Sequence, residues 1–135
     1  RVRDELAHGR AAADIAVLFR EHWQGQALKQ AFERAGLPAR LASGEGKTTL
    51  FLVEAAVRLV SLHSSKGLEF PLVIIPWLGR MPKSAEAEGD EARLLYVGMT
   101  RATEHLLLTH HRESVFTRRI RASINEVSAE LARVD

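Results

Sequence analysis

The sequence predicts an α/β fold in which a parallel sheet is covered by helices on both faces. Two observations carry this. Short runs that are apolar at every position, Ile15-Ala16-Val17-Leu18-Phe19 and Leu72-Val73-Ile74-Ile75, suit strands buried on both faces. Segments with helical spacing of apolar residues lie between such runs, so strands and helices alternate as crossover units require.

The elements follow in order. Asp4 to Arg10 has helix-forming composition and should end near Gly9. Ile15–Phe19 is the first strand. Trp23, Ala27, Leu28, Ala31, Phe32 and Ala35 then recur at helical spacing, and Gly36 and Pro38 stop that helix. Core packing is the expected role of Trp23 and Phe32 on this stripe. Ala39 to Ala42 reads as a short strand, Ser43 to Thr49 as a polar loop, and Leu50 to Ala56 as an ambiguous stretch open to a short helix. Val57 to Leu62 and Leu72 to Ile75 are strands, the second fenced by Pro71 and Pro76. Trp77 to Gly89 reads as a surface loop. A helix from Asp90 should carry Ala92, Leu95, Tyr96, Met99 and Ala102 on its buried face, followed by a third apolar strand at His105–Thr109. The tail is helical, with a capping-box pattern at Ser123-Ile124-Asn125-Glu126 and a stripe of Ile124, Val127, Leu131 and Val134.

Composition narrows the function classes. The 135 residues are 46% hydrophobic and 27% charged, the balance of one ordered globular domain. There is no Cys, which excludes disulfides and zinc–thiolate sites. No apolar run is long enough to span a membrane, and a cytoplasmic placement is the expectation. The first residues, Arg1-Val2-Arg3-Asp4, lack a Met and an apolar signal core, which suggests a piece of a longer chain. A net charge of +2 points to a local basic strip, rather than a global field, for any nucleic acid that binds.

Two segments carry chemistry. Ser61-Leu62-His63-Ser64-Ser65-Lys66-Gly67-Leu68-Glu69-Phe70 leaves a predicted strand and packs two kinds of phosphate ligand, hydroxyls and a Lys, beside a carboxylate suited to a ribose. Its plainer reading is a polar turn between strands. Leu94-Leu95-Tyr96-Val97-Gly98-Met99-Thr100-Arg101-Ala102 is a nearly apolar helix ending in Arg101, whose planar fork matches phosphate oxygens. The alternative for Arg101 is a structural salt bridge with an acid such as Glu104. Because ligands of parallel sheets sit at the carboxyl ends of the strands, the segments after Leu62 and before His105 are expected there.

Residues 62–71 are very similar to motif V of the UvrD/Rep/PcrA branch of superfamily 1 DNA helicases. Residues 91–102 closely resemble motif VI of that family, and Asp14 to Arg20 resembles motif IVa. The resemblance implies a RecA-like second motor domain over residues 1–135, one that clamps ATP and Mg2+ against an N-terminal RecA-like motor domain. It implies that Arg101 is an arginine finger on the γ-phosphate, that Glu69 lies near the ribose, and that Gly67 and Lys66 line the nucleotide side. Gly67 would let the backbone approach closely. His63 and Ser61, with Arg20, match positions on the single-stranded DNA side.

The departures are as informative. Gly44-Glu45-Gly46-Lys47-Thr48 imitates a phosphate loop, but the pattern needs a Gly where Leu41 stands. The chain thus lacks the phosphate loop and should not hydrolyse ATP alone. Only residues 21–56 separate Arg20 from Val57, so the family's 2B insertion is missing or minimal. Two other readings share the motifs: a non-catalytic interaction module, and the motor part of a helicase–nuclease of the AddA/RecB kind. No metal site is expected: His105, His110 and His111 lack partner ligands, and adjacent strand residues face opposite ways. Arg112, Arg118, Arg119 and Arg121 form a basic stretch that could touch DNA phosphates, although such a run is more often a solvated face.

Overall fold

A computed structural model describes residues 1–42 and 55–134 of the chain. The loop at Ser43–Thr49, the phosphate-loop look-alike at Gly44–Thr48 and residues 50–54 of the ambiguous stretch lie outside the described residues.

Among the described residues five parallel strands form one sheet: β1 (Ile15–Phe19), β2 (Ala39–Leu41), β3 (Val57–Ser61), β4 (Phe70–Ile75) and β5 (Ala102–Leu108), in the order β2-β3-β1-β4-β5. Every pairing is parallel, as the all-apolar runs of β1 and β4 demand. Helices α1 (Val2–Ala7) and α2 (His22–Arg34) serve one face, where Ile15, Val17, Phe19, Phe32, Val57, Leu59, Leu72 and Ile74 form a core. Helices α3 (Glu88–Met99) and α4 (Val115–Val134) serve the other, around Leu18, Val60, Leu62, Val73, Ile75, Leu95 and Phe116. The chain enters at the centre on β1, goes out to β2 and β3, and crosses to β4 on the far side. β1 is therefore the point where the strand order reverses, and its carboxyl end is the natural crevice of such a sheet.

Several expectations are corrected. On α2 the buried residues are Gln24, Gly25 and Phe32, whereas Trp23 is 45% exposed. The helix is turned because the Phe19 ring lies against Gly25, where an added Cβ would sit 2.5 Å from the ring. On α3 the buried residues are Glu91, Leu95 and Gly98, and Tyr96 points outward. Here too a glycine sets the rotation, since a Cβ on Gly98 would meet Leu62 at 2.3 Å. Ala102 belongs to β5 and not to the helix. β5 begins three residues earlier than its apolar run suggested, and its residues 103–106 are exposed because it is the sheet edge. The stretch from Trp77 to Gly89 is no simple surface loop. It holds a 3-10 turn at Leu78–Arg80 and buries Leu78, Gly79 and Met81.

The tail helix starts well before the Ser123 pattern, which lies inside it. Its amino end is built at Ser114: the Thr117 hydroxyl accepts from the Ser114 N–H at 2.8 Å, and the Ser114 hydroxyl accepts from the Thr117 N–H at 3.3 Å. The reciprocal bonding of a capping box is thus present, with Ser and Thr as the pair.

Candidate functional site

The parallel register divides the expected functional residues between two edges of the sheet. β5 starts at Ala102, so Arg101 lies at its amino end, not at a carboxyl end as the general rule for such sheets suggested. Glu69 precedes β4 and lies at the same amino edge. The two are held side by side: Phe70 pairs with Ala102, and the Phe70 N–H donates to the Arg101 carbonyl at 2.9 Å. Lys66, Gly67 and Glu69 are exposed on the loop that carries the chain from the carboxyl end of β3 to the amino end of β4.

Gly67 has a φ of +82°, and a Cβ there would meet nothing within 4 Å. The residue is needed for its left-handed backbone, not for close approach of another chain segment. That backbone closes a turn in which the Leu68 N–H reaches the Ser65 carbonyl at 3.0 Å.

Arg101 is half-buried behind the carboxyl end of α3. Its Nε donates to the Val97 carbonyl at 3.0 Å, and a terminal nitrogen donates to the Thr100 hydroxyl at 3.3 Å. The salt bridge with Glu104 does not form; Glu104 pairs with Arg10 at 3.2 Å. Among the described residues no carboxylate is ion-paired with Arg101. Among the described residues its guanidinium is held by neutral acceptors only, an arrangement suited to an anion that arrives from outside.

Arg20, His63 and Ser61 gather at the carboxyl edge, on the ends of β1 and β3. Arg20 and His63 line one shallow depression with Asp90, Arg93 and Val97 of α3. The Arg20 guanidinium is already engaged: Nε and a terminal nitrogen lie 3.2 and 3.1 Å from Oε1 of Glu91, a carboxylate 2% exposed. Oε2 of Glu91 accepts from the Lys83 N–H at 3.0 Å. Gln24 Oε1 accepts from the N–H groups of Arg20 and Glu21, both at 3.0 Å, and so joins β1 to α2. The Ser61 hydroxyl accepts from the Ser64 N–H at 3.2 Å, which closes the turn carrying His63.

Neither Glu91 nor Trp77, Arg80 and Lys83, which fall in the stretch expected to be a surface loop, carries a functional role in the sequence analysis. Trp77, with φ +59°, holds a left-handed backbone that costs a bulky L-residue about 1–2 kcal/mol. Its ring lies 5.7 Å from that of Trp23, and the Arg80 guanidinium sits 5.1 Å from the Trp23 ring centre. Arg20, Glu21, Gln24, Arg80, Lys83 and Arg112 line a polar cleft beside them. No periodicity signals this cluster, since its members come from three separate strand ends.

Glu21 anchors the cleft. It accepts from Trp23 Nε1 and pairs with Lys83, and the Lys83 bond is the main reason its carboxyl titrates below the ordinary 4.5. A carboxylate whose folded pKa is depressed adds stability at pH values above its unfolded pKa, and that stability is lost as pH falls through the folded value. The expected result is that wild type exceeds Glu21→Gln in urea midpoint at neutral pH and that the gap closes below about pH 4.5. A gap that stays constant into acid would reject this role for the pair.

Among the described residues no three potential ligands are grouped to hold a metal ion, and no helix is long and apolar enough to cross a membrane. Residues 41–113, just over half of the chain, match the family model described as the UvrD-like helicase C-terminal domain. DNA helicase II of Escherichia coli K12 is 44% identical over 79 residues, which are 53% of this chain and 11% of that protein. The ATP-dependent DNA helicase PcrA of Bacillus subtilis 168 is 48% identical over 63 residues, 41% of this chain and 8% of that one. The chain therefore spans about a tenth of the length of the curated relatives it matches. In three dimensions it resembles the crystal structure of the C-terminal domain of a possible DNA helicase from Lactobacillus plantarum WCFS1, with a TM-score of 0.62, 25% identity, and coverage of 81% of this chain and 61% of that chain. With the all-parallel sheet and the two motif segments at its edges, these matches place the chain in the UvrD-like helicase C-terminal domain family.

Proposed function

We propose that this chain is the second, RecA-like motor domain of an ATP-driven single-stranded DNA translocase, over residues 1–135 and with the 2B insertion missing or minimal. The observation that carries the reading is the pairing of Phe70 with Ala102, which sets Glu69 and Arg101 together at one edge while Arg20, His63 and Ser61 occupy the other. An N-terminal RecA-like motor domain docked on the amino edge supplies the phosphate loop and the magnesium ligands. Arg101 then meets the γ-phosphate and stabilises the charge that develops on it. Glu69 accepts from the ribose hydroxyls, and Gly67 and Lys66 border the nucleotide. ATP with Mg2+ is the cofactor of the assembled pair, and DNA lies along the carboxyl edge.

α3 links the two edges. Glu91 in its first turn holds Arg20 at the carboxyl edge, and Arg101 follows its last turn at the amino edge. A rigid helix can therefore carry a small displacement from the nucleotide side to the DNA side.

The assigned role is a trans-acting one, and it is directly testable. The isolated chain with ATP, Mg2+ and single-stranded DNA is expected to release no phosphate above background. Robust turnover that survives repurification and disappears in Arg101→Ala would overturn the proposal.

A further inference from the structure

The cleft beside the carboxyl ends of β1, β4 and β5 has the parts of a nucleobase-binding platform. Trp23 follows β1 and is 45% exposed, with Trp77 5.7 Å away across a 53° tilt. Trp23 is not core, since α2 turns its buried face elsewhere, onto Gly25 and Phe32, and Trp77 is half-buried beside it. One cation sits against the Trp23 ring and others line the cleft beside it. Arg80 lies over the Trp23 ring at 5.1 Å. Lys83 and Arg112 line the adjoining cleft, where Arg112 Nε donates to the Gly79 carbonyl at 3.1 Å and so fixes the stem of its guanidinium. Among the described residues neither Arg80 nor Arg112 is ion-paired with a carboxylate. Glu21, the acid of the cleft, is occupied by Lys83 and the Trp23 indole.

We infer that Trp23, Trp77 and Arg80 form a stacking site for a base of single-stranded DNA, with Arg112 receiving a flanking phosphate. The combination is the one single strands require, a π-surface that accepts any base and a basic groove that follows the backbone. Duplex DNA fits poorly, because its bases are stacked on each other and offer no free face to a ring. The inference rests on the reading that the carboxyl edge is the DNA side, and it adds a site to Arg20, His63 and Ser61 on that edge.

Trp23 and Trp77 are the two tryptophans of the chain, so intrinsic tryptophan fluorescence reports this site without labelling. The test titrates the full chain with a short oligothymidylate at low salt while a fluorescent end label reports binding by anisotropy. Quenching that tracks the anisotropy is expected. Trp23→Ala and Arg80→Ala should each weaken binding about tenfold. Trp77→Gly removes the ring at a backbone position that suits glycine, so it keeps the fold and should weaken binding similarly. An abasic strand of equal length should bind more weakly and leave the fluorescence unquenched.

If the anisotropy rises but fluorescence stays constant and all three variants bind like wild type, the platform is rejected while the DNA-side reading stands. If no single strand binds, or a duplex of the same length binds better, both are rejected.

Discussion

Replacing Arg101 with Ala in the proposed two-domain motor is expected to cut DNA-stimulated ATP hydrolysis about a thousandfold, the usual effect of losing an arginine finger. The fold should survive the change. Arg101 donates to the Val97 carbonyl and the Thr100 hydroxyl, and both acceptors sit at a helix end that water can reach. On the proposed finger role the loss should fall on the phosphoryl-transfer step, because a guanidinium placed where charge develops contributes less to holding ground-state ATP. Arg101→Lys should recover little, since an ammonium lacks the planar fork that spans two phosphate oxygens. The measurement is steady-state phosphate release with saturating single-stranded DNA, read beside thermal unfolding of the same variant. Wild-type turnover in a folded Arg101→Ala protein would make the residue structural, and a collapsed melting curve would do the same by another route.

The second large effect is on stability. Arg20→Ala should destabilise the chain by about 3–5 kcal/mol, the usual cost of leaving one partner of a buried ion pair unmatched. Glu91 is 2% exposed and depends on Arg20 for both of its close cationic contacts. The Lys83 N–H satisfies its other oxygen but brings no full charge. Since whole domains are stable by only about 5–15 kcal/mol, the loss is large enough to be read as a marked fall in urea midpoint. The paired change Arg20→Met with Glu91→Met should recover part of it, because it removes the orphaned charge, though it leaves the Lys83 N–H without its acceptor. A loss below about 1 kcal/mol in Arg20→Ala would mean that the pair behaves as a surface salt bridge.

Glu91 also shows what sequence reading can miss. It stands in the motif VI segment, yet nothing local says which cation it meets. Its partner is 71 residues away, and the contact exists because β1 ends and α3 begins at the same edge. Trp23 is the opposite error. Helical spacing placed it on the apolar stripe, but the Phe19 ring against Gly25 turns α2 so that Gln24 and Gly25 face inward instead. Tyr96 is exposed for a similar reason, with Gly98 riding on Leu62 and Ile75. A glycine reads as a weak spot in a helical pattern, whereas in the folded chain it is the point of closest approach.

β5 marks another limit. Its apolar run, Leu106-Leu107-Leu108, reads much like that of β4, but β4 is central and β5 is the edge. Burial on both faces and on one flank give similar local patterns, and only the neighbour on the far side distinguishes them.

By itself the sequence determined the α/β class, the parallel character of the sheet, the positions of β1 and β3 to within a residue, and the two motif segments that mark the family. These are local properties: runs, periods and fixed spacings that a short window contains. The tertiary structure decided which edge of the sheet each motif residue occupies. It put Arg101 and Glu69 at the amino ends of β5 and β4 and Arg20 and His63 at the carboxyl ends of β1 and β3. It also paired Arg20 with Glu91 and set Trp23 beside Trp77. Strand direction and strand order make those choices, and both come from pairings between segments far apart in the chain.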